Sequence, residues 1–149
     1  MSEGSNEQLA KHISTIIRNL LVTGRKGAPA EGRLAFNPLH FQMLRIVGAN
    51  QMTRPSDIAA DLAVPRTTIS AAVKALLKKG LVVTAADKTD RRAITISLTD
   101  DGKDVLAAIE RQDKRNAAAM LDALSPPERP KFLQAMAKIA DAIGQSSES

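Results

Sequence analysis

Asp87-Lys88-Thr89-Asp90-Arg91-Arg92-Ala93-Ile94-Thr95-Ile96-Ser97-Leu98-Thr99 sets a polar run directly against a β-rich one, and Leu81-Val82-Val83-Thr84-Ala85 stands on its other side. Apolar and β-branched residues flanking a polar turn predict a two-stranded ribbon, with strands at 81–85 and 93–98. The turn carries Lys88, Arg91 and Arg92. A thin hairpin tipped with arginine can reach a minor groove, where negative potential is focused. Asp90 in this arrangement orients an arginine, since a free carboxylate aimed at a polyanion would oppose binding.

Immediately upstream, residues 55 to 76 place the small Ala59 in one helix, Ala63 at a turn and Ile69 in a second helix, with Ile58, Leu62, Val64 and Val73 to fill the angle between them. Two helices crossing steeply need a small residue at the contact, a tight turn and apolar side chains beneath, which is helix-turn-helix spacing. The predicted helices run from Thr53 or Ser56 to Leu62 and from Arg66 to Lys79, with Gly80 as the stop. On the far side of the second stand Arg66, Thr67, Thr68, Ser70, Ala71 and Lys74, short or basic residues that let a helix enter a major groove. No carboxylate occurs between Leu62 and Ala86, while Arg66, Lys74, Lys78 and Lys79 add four positive charges. A duplex backbone would meet no repulsion along that strip.

Working outward, Leu9, Ile13, Ile16, Ile17, Leu20 and Leu21 recur at three- and four-residue steps and predict a helix over 6–23. Gly24, Gly27, Pro29 and Gly32 supply a loop as far as Asn37. Asn37-Pro38 reads as an N-cap with proline in the first turn of a helix whose inner stripe is Leu39, Met43, Leu44 and Val47, closed by Gly48 and Asn50. Thr99 caps a long helix carrying Val105, Leu106, Ile109, Ala117, Met120, Leu121 and Leu124. Ser125-Pro126-Pro127-Glu128 resembles a capping box before a last helix with Phe132, Leu133, Met136, Ile139, Ala140 and Ile143 on one side. The Ser-rich tail from Gly144 is expected to fray.

The 149 residues, 44% hydrophobic and 25% charged, suit one soluble domain. Twenty-one basic against 16 acidic residues leave a net charge of +5, which favours polyanionic partners. The absence of cysteine excludes disulfides, thiolate nucleophiles and zinc knuckles, and suits a cytoplasmic address. No leader pattern or apolar run of about 18 residues marks a membrane segment. With no tryptophan or tyrosine and only three phenylalanines, stacking platforms for single strands are missing. No nucleophile–base arrangement or Gly-rich phosphate loop points to an enzyme, and no catalytic residue or cofactor is expected. His12 and His40 lack partners at ligand spacing, so no metal is expected either.

These residues, in this order, resemble the MarR family of winged helix-turn-helix transcriptional regulators along nearly the whole chain. The segment 87–99 matches that family's wing pattern of Asp, any residue, Arg, three residues, an aliphatic, any residue, Leu-Thr, with Gly102 following. The resemblance makes Asp90 and Arg92 the wing pair, Arg91 the neighbouring tip arginine, and Arg66 to Lys74 the groove-reading surface. Pro65 stands where many members have Ser or a similar cap, so a side-chain cap is lost there. The implied fold is mainly α (α+β): a winged helix-turn-helix with a two-stranded β-wing, its head at 37–99, and an N- and C-terminal helical dimerisation region at 6–23 and 100–143 of a single domain, 1–149. The implied function is a homodimeric repressor or other regulator that reads a pseudo-palindromic operator in double-stranded DNA. Half-sites would lie about one helical turn, ~10 bp, apart. The apolar stripes of the first and last helices exceed what a small head can cover, which points to an interface on independent grounds. Family members bind small anionic aromatic compounds, which makes Arg18, His40, Phe41 and Arg45 candidate ligand residues. The competing reading is a winged-helix module that binds another protein without reading DNA.

Overall fold

Caps and turns written into the sequence set the element boundaries of the computed structural model, which describes residues 3–23, 37–50 and 52–146. The helices are α1 (Glu3–Ile16), α2 (Pro38–Ala49), α3 (Pro55–Leu62), α4 (Arg66–Lys78), α5 (Asp100–Asp122) and α6 (Glu128–Ser146), with strands β1 (Val82–Ala86) and β2 (Ile94–Leu98) between α4 and α5. The Asn37 side chain accepts the His40 N–H at 3.2 Å, and that of Thr99 accepts the Gly102 N–H at 3.0 Å. Asn37→Ala is expected to remove about 1 kcal/mol and lower the melting temperature by a few degrees in a thermal melt. Ahead of α6, Glu128 Oε2 accepts both the N–H (2.8 Å) and the Oγ–H (2.7 Å) of Ser125, one arm of the expected capping box. Arg129 Nε donates to the carbonyls of Leu121 and Leu124, satisfying the end of α5.

The turn between α3 and α4 places Ala63 in the left-handed region at φ 52°, with the Val64 N–H on the Ala59 carbonyl at 3.1 Å. An L side chain is disfavoured there, so Ala63→Gly is expected to stabilise the fold by about 0.5–1 kcal/mol, read as a raised melting temperature. β1 and β2 pair antiparallel from Val82↔Leu98 to Ala86↔Ile94. Thr53, just before α3, adds one antiparallel bridge to Ile96, with its N–H on the Ile96 carbonyl at 3.2 Å and its carbonyl accepting the Ile96 N–H at 2.7 Å.

One core holds these pieces together. It takes Phe41, Met43, Leu44 and Val47 from α2, Ile58 and Ala59 from α3, and Ile69, Ala72, Val73 and Leu76 from α4. Leu81, Val82 and Ile96 close it from the ribbon side, and Val105 and Ile109 bring in the first half of α5. In contrast, α1 and α6 bury no residue in the single chain. Leu9, Ile13, Ile16 and Ile17 at one end, and Leu133, Met136, Ile139 and Ile143 at the other, are each 42–65% exposed.

The observed elements differ from the sequence reading chiefly at three points. The first helix starts at Glu3 and passes into a π-helical stretch, Ile17–Thr23, because its hydrogen-bond register changes there. Thr53 bridges to β2 instead of starting α3, which opens at Pro55 behind Arg54. The last helix continues through Gly144 to Ser146, so that part of the tail is ordered helix. The loop expected from Gly24 lies outside the described residues. Among the described residues no helix is long and apolar enough to cross a membrane.

Candidate nucleic-acid interface

Helix α4 is built to be read from outside. Ile69, Ala72, Val73 and Leu76 turn inward and are at most 5% exposed, which fixes the rotation of the helix about its axis. Thr67, Ser70, Ala71 and Lys74 consequently share the opposite face, with Arg66 and Thr68 at its edges, and all six are exposed. Lys78 continues the same stripe one turn on. Pro65 occupies the N-cap position and supplies no side-chain acceptor, as its residue type requires. The carboxylate-free strip therefore coincides with a solvent-facing helix surface.

The ribbon tip presents a second group of cations. Lys88, Arg91 and Arg92 are exposed, and among the described residues none of them, nor Arg66 or Lys74, is held in an ion pair. The sequence makes Asp90 the partner that orients a tip arginine. In the structure its Oδ1 accepts the backbone N–H of Arg92 at 3.0 Å, and its own carbonyl accepts the Ala93 N–H. The reason is local geometry: with only Arg91 between the partners in a tight turn, the amide lies within reach while the long side chain projects outward.

At the wing, the arginine held by a carboxylate is Arg54, at the N-cap of α3. Its Nε lies 2.7 Å from Asp87 Oδ2, and its Nη2 is 3.3 Å from Thr89 Oγ1. Asp87 Oδ1 in turn accepts the Thr89 N–H (2.8 Å), the Thr89 Oγ–H (2.7 Å) and the Asp90 N–H (3.2 Å). These bonds, that from Arg54 first and those from Thr89 next, hold the Asp87 carboxyl far below the ordinary carboxylate range. Because the folded value is depressed, the pairing stabilises the fold above about pH 4, the unfolded value, and that contribution is lost as pH falls toward the folded one. Sequence reading missed Arg54, Asp87 and Thr89 as a group. Two signals were present: a cation at a helix start, where the macrodipole disfavours it, and Asp-any-Thr, a side-chain-to-backbone turn pattern.

The four candidate ligand residues are placed less uniformly. Arg18 lies exposed in the π-helical stretch, and His40 is half-buried on α2. Burial and the nearby charge of Lys79 lower the His40 pKa, so its imidazole is neutral at pH 7. Phe41 is 3% exposed within the core. Arg45 pairs with Asp113 on α5 at 2.5 Å, tying the head to the long helix. Among the described residues no group of three or more His, Cys, Asp or Glu side chains could hold a metal ion.

Comparison with known proteins agrees with this geometry. Residues 36–102 match the model of a winged helix DNA-binding domain. A protein of Thauera aromatica assigned as the transcriptional regulatory protein for the hcr operon is 34% identical over 87 residues. The match covers 56% of this chain and 52% of that protein, so the chain aligns with about half the length of the relative. The structure of Streptococcus pneumoniae FabT in complex with DNA superposes with a TM-score of 0.77 at 18% identity, covering 94% of this chain and 98% of that one. The transcriptional repressor CouR, bound to a 23-mer DNA duplex, gives 0.70 at 23% identity over 94% and 98% of the two chains. Such likeness carries the fold: three chains with few residues in common share one helical frame.

Proposed function

Because residues 36–102 are a winged helix DNA-binding domain carried in the helical fold of the MarR-type regulators, we propose that this protein is a homodimeric, sequence-specific regulator that binds double-stranded DNA, acts as a repressor and resides in the cytoplasm. The observation that carries this reading is the exposed cationic face of α4, in a stretch with no carboxylate between Leu62 and Ala86, joined by the exposed Lys88, Arg91 and Arg92 of the ribbon tip. In it, Thr67, Ser70, Ala71 and Lys74 face base edges in the major groove, with Arg66 and Thr68 alongside. Lys88, Arg91 and Arg92 enter the adjoining minor groove or grip its phosphates, and Asp90 shapes the turn that presents them. Binding DNA rather than transforming it requires no catalytic residue and no cofactor.

Homodimerisation is supported by the two apolar helix faces left open in one chain, on α1 and α6. Water-exposed apolar surface on that scale is removed by association. Two heads related by a two-fold axis then read a pseudo-palindromic operator. We further propose that a small aromatic or anionic effector lodges near Arg18, His40 and Arg45, with Phe41 reporting it through the core. Such a ligand would shift the balance between head separations that differ in DNA affinity.

The test is retention of duplex fragments from the protein's own genome, followed by titration of the retained fragment. Affinity is expected to fall roughly 10³- to 10⁵-fold between 50 and 200 mM salt for a dimer making about 6–10 phosphate contacts. Sedimentation at micromolar concentration is expected to give a dimer, and phenolic acids are expected to displace bound DNA. Duplex binding that is absent or indifferent to salt would favour a protein-interaction module instead.

A further inference from the structure

We propose that Arg54, Asp87 and Thr89 form a latch that fixes the angle of the β1–β2 wing against α4, which makes Arg54 and Asp87 positioning residues for the wing-tip cations. This rests on the DNA-binding reading above. A hairpin of two strands has little stability of its own and no sheet neighbour to aim it. Here it is held at two places by consecutive residues ahead of α3. The Thr53–Ile96 bridge grips β2 close to the core, and the Arg54–Asp87 pair grips the point where β1 passes into the turn. From Ile96 to Arg92 the chain extends about 13 Å. A swing of about 20° about the bridge would therefore carry the tip by about 4–5 Å, beyond the reach of a charge-assisted hydrogen bond.

The second grip prevents that swing and also orders the tip. The carboxylate that docks on Arg54 accepts from Thr89 and from the Asp90 N–H, and Asp90 in turn accepts from the Arg92 N–H. Order at the base is thus passed through successive side-chain-to-backbone bonds to the arginines. The identity of Arg54 supports the assignment. At the start of α3 a cation opposes the helix macrodipole, and Arg54 makes no side-chain cap bond to that helix. Its guanidinium fork instead serves a carboxylate 33 residues away, whose side chain is only 10% exposed.

A double-mutant cycle tests the latch on the full-length protein and its retained duplex. Arg54→Ala, Asp87→Asn and the tip pair Arg91→Ala/Arg92→Ala are each expected to weaken binding about 10-fold. Arg54→Ala combined with the tip pair is expected to be at most about 2-fold weaker than the tip pair alone, because tip cations without aim contribute nothing further. Arg54→Lys, which keeps the charge without the fork, is expected to recover only part of the loss. Losses that multiply to about 100-fold would show that Arg54 acts on DNA independently of the wing and would overturn the proposal. So would wild-type affinity in both Arg54→Ala and Asp87→Asn. Hydrogen exchange of amides 88–92 in the DNA-free protein reads the latch separately: exchange at least about 10-fold faster in both variants is expected, and unchanged exchange refutes it. If the unaltered protein retains no duplex, the functional reading fails while the exchange result still decides the latch.

Discussion

Gly102→Ala is expected to destabilise the protein by about 3 kcal/mol or more, lowering its melting temperature by roughly 10 °C. A Cβ at this position would lie 2.0 Å from the Leu81 carbonyl oxygen and 3.0 Å from its carbon. Both atoms are backbone, so no rotamer change relieves the clash. The strand entrance and the first turn of α5 are also tied together at the same point. The Leu81 carbonyl accepts the Thr99 N–H at 3.1 Å, and Thr99 Oγ1 donates to the Gly80 carbonyl at 2.6 Å while accepting the Gly102 N–H. Moving α5 with its Thr99 cap away to admit one methyl group stretches the two bonds from Thr99 to the Gly80 and Leu81 carbonyls. Gly48→Ala provides the contrast. Its Cβ would meet Leu106 Cδ2 at 2.4 Å, the end of a flexible side chain that can turn aside, so a smaller loss is expected. Thermal melts of the two variants side by side check this, and a Gly102→Ala protein melting within about 2 °C of wild type would show that α5 slides freely over the ribbon. The Leu-Thr run followed by Gly102 thus has a physical basis in this chain: a cap, and a close approach of two backbones.

The second large effect concerns DNA. Arg66→Ala combined with Lys74→Ala is expected to weaken duplex affinity by roughly 100-fold or more and to make its salt dependence shallower, with one fewer phosphate contact per lysine removed in each head. Both side chains are exposed and outside the core, so the melting temperature is expected to move by less than about 2 °C. That separation between affinity and stability is the diagnostic. If the double variant binds as tightly as wild type, α4 does not lie in the groove, and the ribbon tip alone would have to account for binding.

Much of this architecture was legible because it is local. The periodicity that buries Ile69, Val73 and Leu76 places Thr67, Ser70 and Lys74 on the other face, and no distant residue is needed to see it. Asn37 and Thr99 cap the helix starts where their short polar side chains predict, whereas Ser125 meets Glu128 as a donor only. Phe41 is instructive in the other direction. The family resemblance makes it a candidate ligand residue, but α2 packs against both α4 and α5, and the buried stripe is therefore wider than the Leu39, Met43, Leu44 and Val47 set. Asp90 and Arg92 do meet, but through the Arg92 N–H and not its guanidinium, because spacing shows that two residues are near without showing which atoms meet.

By itself, the sequence determined the order and type of the elements, the inward and outward faces of α4, and the clean positive strip along it, since backbone propensity, capping and side-chain period all act within a few residues. Only the tertiary structure decided that Arg54 closes on Asp87 and that Arg45 closes on Asp113. Those outcomes depend on which distant segments the packed core brings together, and no short-range preference encodes the direction in which a long charged side chain finds its partner.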